Sequence, residues 1–148
     1  MAKAVSVRSG SIEEAVVVQQ LIPEFENPYS VAEYTNRLLS SEHVILIAEE
    51  NGKPIGFKVG YDRFLNGEVF YSWMGGVLPD HRQKGIARLL LQKMEVWCRL
   101  KGYKALKFKT QNRHRSMMQF AIRAGFDVVD FVAKGDLKMH EVYFLKEL

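Results

Sequence analysis

The chain has 148 residues, 47% hydrophobic and 26% charged, which is the balance of an ordinary folded protein and excludes a disordered one. That length suits one domain over residues 1–148; no apolar run approaches the ~20 residues that span a bilayer, and Met1-Ala2-Lys3-Ala4-Val5 lacks the apolar core of a signal peptide, so no membrane and no export is expected. The net charge of +4 comes from scattered basic residues, apart from 101–109 and 113–115, with no aromatic-rich RNA-binding signature, so a solvated basic surface is favoured over a nucleic-acid partner.

Val5-Ser6-Val7-Arg8 alternates up to Gly10 and predicts a short strand. Ser11 with Glu14 three residues on is a capping-box pattern, opening a helix that carries Ile12, Ala15, Val16 and Gln19 toward Ile22 and Pro23. A second helix is predicted over 31–39, with Val31, Tyr34 and Leu38 on one face. The segment between them, 23–30, is irregular, acidic and aromatic. The apolar run 44–48, the Asn51-Gly52 turn, residues 55–61, the loop at Asn66-Gly67 and residues 69–77 predict a three-stranded antiparallel meander.

The period then changes. Ile86, Leu90, Met94 and Trp97 recur at helical spacing, Leu89 widens the stripe, and Gly102 is placed to cap the helix. Within it Cys98 is the only cysteine; it excludes an internal disulfide and a multi-cysteine metal site, reads as structural, and fits a reducing cytoplasm. The four histidines, His43, His81, His114 and His140, are too dispersed for a metal site. A strand at 105–110, a helix at 116–124 ended by Gly125, and strands at about 126–133 and 139–145 complete the chain. The order is β-α-α-β-β-β-α-β-α-β-β: an α/β (α+β) mixed, mostly antiparallel sheet of six to seven strands flanked by about four helices. Its central strand–helix–strand unit should be parallel with a right-handed crossover.

Chemistry concentrates at Gly75-Gly76-Val77-Leu78-Pro79-Asp80-His81-Arg82-Gln83-Lys84-Gly85-Ile86-Ala87. A strand ends near Pro79, which cannot donate to a ladder. A basic, glycine-containing turn then runs straight into an amphipathic helix. The first amides of a helix lack internal partners and lie at the positive end of its dipole, so they form an anion site. Gly85 lets backbone approach a ligand, and Arg82 and Lys84 add full charges. On spacing alone, a plain strand–turn–helix connection with two solvated cations remains open. Neither a Walker loop nor a dinucleotide fingerprint is present.

Arg82-Gln83-Lys84-Gly85-Ile86-Ala87 resembles the acetyl-CoA signature of the GNAT (Gcn5-related N-acetyltransferase) superfamily, Gln/Arg-x-x-Gly-x-Gly/Ala. Val77-Leu78-Pro79 resembles that family's Val-x-Pro, and the following helix, strand and Gly125-Phe126 also fall where it places them. The resemblance implies that the amides of Gln83, Lys84, Gly85, Ile86, Ala87 and Arg88 hold the pyrophosphate of coenzyme A. The strand edge at Gly75, Gly76 and Val77 would pair with the pantetheine arm. A bulge at Met74-Gly75-Gly76 would aim a free N–H, assigned to Gly76, at the thioester oxygen. No metal is implied.

The family's later tyrosine, which protonates the departing thiolate, falls here on Ala121, and its asparagine on His114; Asn112 lies two residues away and is a candidate for the cofactor. The family's strand glutamate falls on Tyr71, the candidate catalytic polar group. The loop with Glu24, Glu26 and Tyr29 would wall the acceptor site and suit a cationic amine. The expected activity is transfer of an acetyl group from acetyl-CoA to a small-molecule or peptide amine by direct attack in a ternary complex. A non-catalytic acyl-CoA-binding or regulatory domain is the alternative, and a homodimer is left open.

Overall fold

The computed structural model describes residues 4–148. Strand β1 (Val5–Ser9) leads to helices α1 (Ile12–Gln20) and α2 (Val31–Leu38). The meander follows as β2 (His43–Glu50), β3 (Lys53–Tyr61) and β4 (Val69–Val77). After a 3-10 turn at Pro79–His81 come α3 (Ile86–Lys101), β5 (Ala105–Gln111), α4 (Arg115–Arg123) and β6 (Asp127–Val132). A second 3-10 turn, Leu137–Met139, precedes β7 (Glu141–Glu147). The element order is the one the sequence predicts. The last strand begins two residues later than expected because the Asp136 side chain accepts from the Lys138 amide and winds Met139 into the turn.

Local chemistry explains most boundaries. At α1 the Ser11 hydroxyl accepts from the Glu14 amide at 3.2 Å, and the Glu14 carboxylate accepts from the Ser11 amide at 3.0 Å. Ser30 and Glu33 make the same reciprocal box at α2. Asn51 and Gly52 both take positive φ, 51° and 80°, as a tight hairpin turn requires. Val31 departs from expectation: it is 38% exposed, while Tyr34 and Leu38 of the same helix are buried.

The seven strands form one sheet in the order β1-β2-β3-β4-β5-β7-β6. All neighbours are antiparallel except β4 and β5, which are parallel. One face packs α1 and α2 through Ala15, Val18, Ile22, Tyr34, Leu38, Phe57 and Tyr71. The other packs α3 and α4 through Ile86, Leu90, Met94, Cys98, Ala121 and Phe144.

Strands β4 and β5 pair only at Val69–Ala105, Phe70–Leu106 and Tyr71–Lys107. Beyond that point β4 stays with β3 as far as Val77, and β5 stays with β7 as far as Gln111. Each strand follows its outer partner, and a cleft opens between them. Where it opens, Val59 pairs with Met74 but Gly60 pairs with Ser72, so Trp73 is an extra residue on β4. Tyr71, Trp73 and Met74 all pack on the α1–α2 face as a result.

Gly60, opposite this bulge, has no room for a side chain. A Cβ there would lie 2.5 Å from the Phe70 ring, 2.9 Å from the Tyr71 carbonyl oxygen and 3.0 Å from the Met94 methyl. Gly60→Ala is therefore expected to destabilise the fold by about 1–3 kcal/mol through overpacking. Urea unfolding checks it: the midpoint should fall with an unchanged slope. A variant as stable as the parent would mean that the bulge relaxes freely.

Candidate active site

The turn before α3 has an unusual backbone. Gln83 has φ 60° and Gly85 φ 77°, which turns the chain so that Gly85 becomes the N-cap of α3. The first helical bond runs from the Leu89 amide to the Gly85 carbonyl at 3.0 Å. Among the described residues, the amides of Gln83 through Arg88 donate to no protein acceptor. Six consecutive free N–H groups at the positive end of a 16-residue helix form an anion cradle. A Cβ on Gly85 would meet nothing within 4 Å, so the space over the turn is open.

The strand edge beside this cradle points into the cleft. The Leu78 amide donates to the Ile55 carbonyl at 2.9 Å. Bonded pairs alternate in an antiparallel ladder, so Phe57–Gly76 is bonded too, and Gly56–Val77 and Lys58–Gly75 are not. The N–H of Gly76 is thus directed at β3, whereas those of Gly75 and Val77 face the parting β5. This corrects two expectations. The bulge sits at Trp73 rather than over Met74-Gly75-Gly76, and the free donor is Gly75 rather than Gly76. Gly76 has another role, since a Cβ there would lie 2.7 Å from Ile22 Cδ1 of the helix end below it.

Arg82 is not free. Its Nε donates to the Val77 carbonyl at 3.1 Å, and its two terminal nitrogens donate to Glu24 at 2.7 and 2.9 Å. Glu24, expected at the acceptor wall, instead ties the α1–α2 loop to the anion cradle. The Arg82 guanidinium holds its carboxyl below the usual carboxylate range. Lys84 is exposed and joins no ion pair among the described residues. Because both partners of the Arg82–Glu24 pair are more than a third exposed, the pair contributes at most about 1 kcal/mol. Its stability is present above the ordinary Glu value of 4.5 and is lost as pH falls through the lowered folded value. Glu24→Gln should thus melt slightly earlier than wild type at neutral pH, with the gap closing in acid. A gap independent of pH would show that the ion pair is not its source.

Residues 15–126 match the family described as Acetyltransferase (GNAT) family. The chain belongs to that family. It is 26% identical over 133 residues to the uncharacterized N-acetyltransferase YhfO of Bacillus subtilis (strain 168), across 82% of this chain and 89% of that protein. Its fold is also that of the ribosomal-protein-S18-alanine N-acetyltransferase from Escherichia coli, with TM-score 0.82, 14% identity, and 97% and 94% of the two chains covered. A GNAT family acetyltransferase from Elizabethkingia anophelis with acetyl-CoA bound matches at TM-score 0.74 and 17% identity, over 97% of this chain and 98% of that one.

Within this GNAT chain the later family positions diverge from the common pattern. Ala121 is wholly buried against the α3–α4 core and has no proton to give. The Asn112 side-chain amide donates to the Leu137 carbonyl at 3.2 Å, which braces the turn before β7. His114 precedes α4 and lines a depression of about 250 Å³ with Lys109, Thr110, Gln111 and Glu141. Burial is the main influence lowering the His114 pKa, followed by Arg113. Cys98 is buried, and burial pushes its thiol up to about 12, as suits a structural residue. No three His, Cys, Asp or Glu side chains among the described residues converge as metal ligands do.

Tyr71 is 4% exposed and is the last β4 residue paired to β5, so its ring lies at the apex of the cleft. Burial raises its pKa, against the opposing pull of Arg63 and Lys109, and it is a neutral phenol near pH 7. Tyr29 packs on Trp73 at 5.3 Å and on Tyr34 at 6.4 Å between ring centroids. Glu26 is exposed and joins no ion pair among the described residues. Sequence reasoning missed Arg37, Arg63, Lys107, Lys109, Tyr143 and Glu141 on this face. For the four on β5 and β7 alternation was the available signal, but only the pairing with β4 shows that it borders the cleft; Arg37 in α2 and Arg63 in the β3–β4 loop carried no such signal.

Proposed function

We propose that this GNAT acetyltransferase moves an acetyl group from acetyl-CoA to an amine by direct attack within a ternary complex. The run of free amides at Gln83–Arg88, beside a strand edge that leaves its neighbour, supports the reading above all. The amides of Lys84 to Arg88 would hold the pyrophosphate, and the edge at Gly75 and Val77 would take the amide-bearing arm as an added strand. The Gly75 N–H would stabilise negative charge developing on the thioester oxygen. Tyr71, protonated at neutral pH, would donate to the leaving sulfur or orient a water that takes the amine proton. The acetyl-CoA seen in the Elizabethkingia protein supports the choice of cosubstrate. A cytoplasmic site of action belongs to the same reading and is supported by the single, buried cysteine.

The buried alanine at the family's tyrosine position favours one rival, a domain that binds acyl-CoA without turnover. Free thiol released from acetyl-CoA with a broad panel of amines separates the two. Amine-dependent release is expected. Coenzyme A binding with no release above the solvent rate, for any amine, would replace the transferase reading with the rival.

A further inference from the structure

The α1–α2 face of the cleft carries more positive charge than its own acids balance. At the apex the Arg63 guanidinium lies over the Tyr71 ring, 4.8 Å from its centroid. Phe64 packs edge-on to the same ring at 6.1 Å. Lys107, which pairs with Tyr71 across the two strands, sets its ammonium 5.4 Å from the Phe64 ring and 5.6 Å from Tyr143. Lys109 follows, 6.0 Å from Tyr143. Nearer α2, Arg37 lies 4.5 Å over Trp73 and 5.4 Å over Tyr29. Aromatic rings thus form a floor on which four cations are held.

Among the described residues, Glu141 is the one carboxylate that pairs with any of these four cations. Glu141 is held by Lys109 at 3.2 Å and by Lys134 at 3.7 Å. Asp62, next to Arg63, accepts from the Gly67 amide at its Oδ2, while its buried Oδ1 has no partner among the described residues. Glu68 pairs with Lys104, and Glu24 with Arg82. Among the described residues, Arg37, Arg63 and Lys107 take part in no ion pair, and the polar group nearest Arg63 is the Tyr71 hydroxyl beneath it. Lys107 is half-buried, which makes an unpaired charge there more costly than on open surface.

These cations are badly placed to serve the pyrophosphate. The cradle follows Val77, six residues along β4 from Tyr71, or roughly 20 Å at the rise of a strand. They lie instead at the end of the cleft where the acetyl group and acceptor would meet. We infer that the acceptor carries, besides its amine, a carboxylate that seats on Arg63 and Lys107, with an apolar portion against Phe64 and Tyr143. This inference rests on the transferase reading above, and it reverses the cationic acceptor that Glu24 and Glu26 suggested. Guanidinium and ammonium donors toward one carboxylate make charge-assisted hydrogen bonds, and the aromatic floor limits competition from water.

The test measures acetyl-CoA-dependent thiol release by the intact protein with matched acceptors: α- and ω-amino acids, their carboxamides, and diamines. At least one amino acid should exceed its own carboxamide about tenfold or more in kcat/KM, the range of a hydrogen bond to a charged group. Lys107→Met and Arg63→Gln should each raise KM for that acid about tenfold without a matching rise for the carboxamide. Their melting shift with coenzyme A confirms that the fold and the cradle survive. Carboxamides or diamines used as well as the acids would overturn the inference while leaving acetyl transfer standing. So would variants that weaken acid and carboxamide equally. No thiol release with any amine would remove the transferase reading and this inference together.

Discussion

Gly85→Glu is expected to abolish the thermal stabilisation that coenzyme A confers on the wild-type protein. Ligand at ~100 times its dissociation constant should add about 2.7 kcal/mol to a protein that binds it only when folded. The added carboxylate would put a negative charge on the turn that carries six free amides and would repel an anion bound there. The substitution also strains the backbone, because Gly85 sits at φ 77°. Gly102 at the other end of α3 provides the control. It has φ 89° and equally open surroundings, so Gly102→Glu carries a similar strain far from the cradle. Both variants should melt early, but only Gly102→Glu should keep its coenzyme A shift. Loss of the shift in both, or in neither, would dissociate the cradle from cofactor binding.

The second large effect is expected of Tyr71→Phe: turnover should fall roughly 10²-fold, the low end for acid–base catalysis, while coenzyme A binding stays as it was. Phenylalanine keeps the ring contacts with Tyr61 at 6.0 Å and Phe64 at 6.1 Å, so the loss isolates the hydroxyl. Burial raises the phenol pKa, which rules it out as a base near neutrality and leaves it as a proton donor. A thiol's ordinary pKa is about 8.5, so the departing sulfur is a tolerable leaving group and benefits from a donor without depending on one absolutely. Ala121 cannot be that donor. A variant with full turnover would assign proton transfer to solvent and make Tyr71 a floor residue.

The two tests also differ in how far the sequence foresaw their targets. The cradle was legible because its parts are contiguous: a strand that ends near Pro79, a turn with Gly85, and a helical stripe from Ile86. The second capping box, Ser30 with Glu33, was equally legible and went unread. The bulge was misplaced for a different reason. Gly75-Gly76 drew attention as paired glycines, yet both sit in regular register, and the glycine that the bulge requires, Gly60, lies on the neighbouring strand. Which amide faces the cleft depends on ladder parity, which one shifted residue reverses.

By itself the sequence determined the element order, the helix caps, the hairpin turn at Asn51-Gly52 and the basic strand–turn–helix connection before α3. Each depends on side chains and dihedrals within a few residues, where periodicity, capping hydrogen bonds and positive φ act without help from the rest of the chain. Only the tertiary structure decided that Gly75 rather than Gly76 faces the cleft, that Glu24 closes on Arg82 across 58 residues, and that Arg63, Lys107 and Lys109 gather around one aromatic floor. Those facts follow from which strands become neighbours and in what register. Register is set by burial of two whole sheet faces at once, a cooperative property that no local stretch of sequence contains.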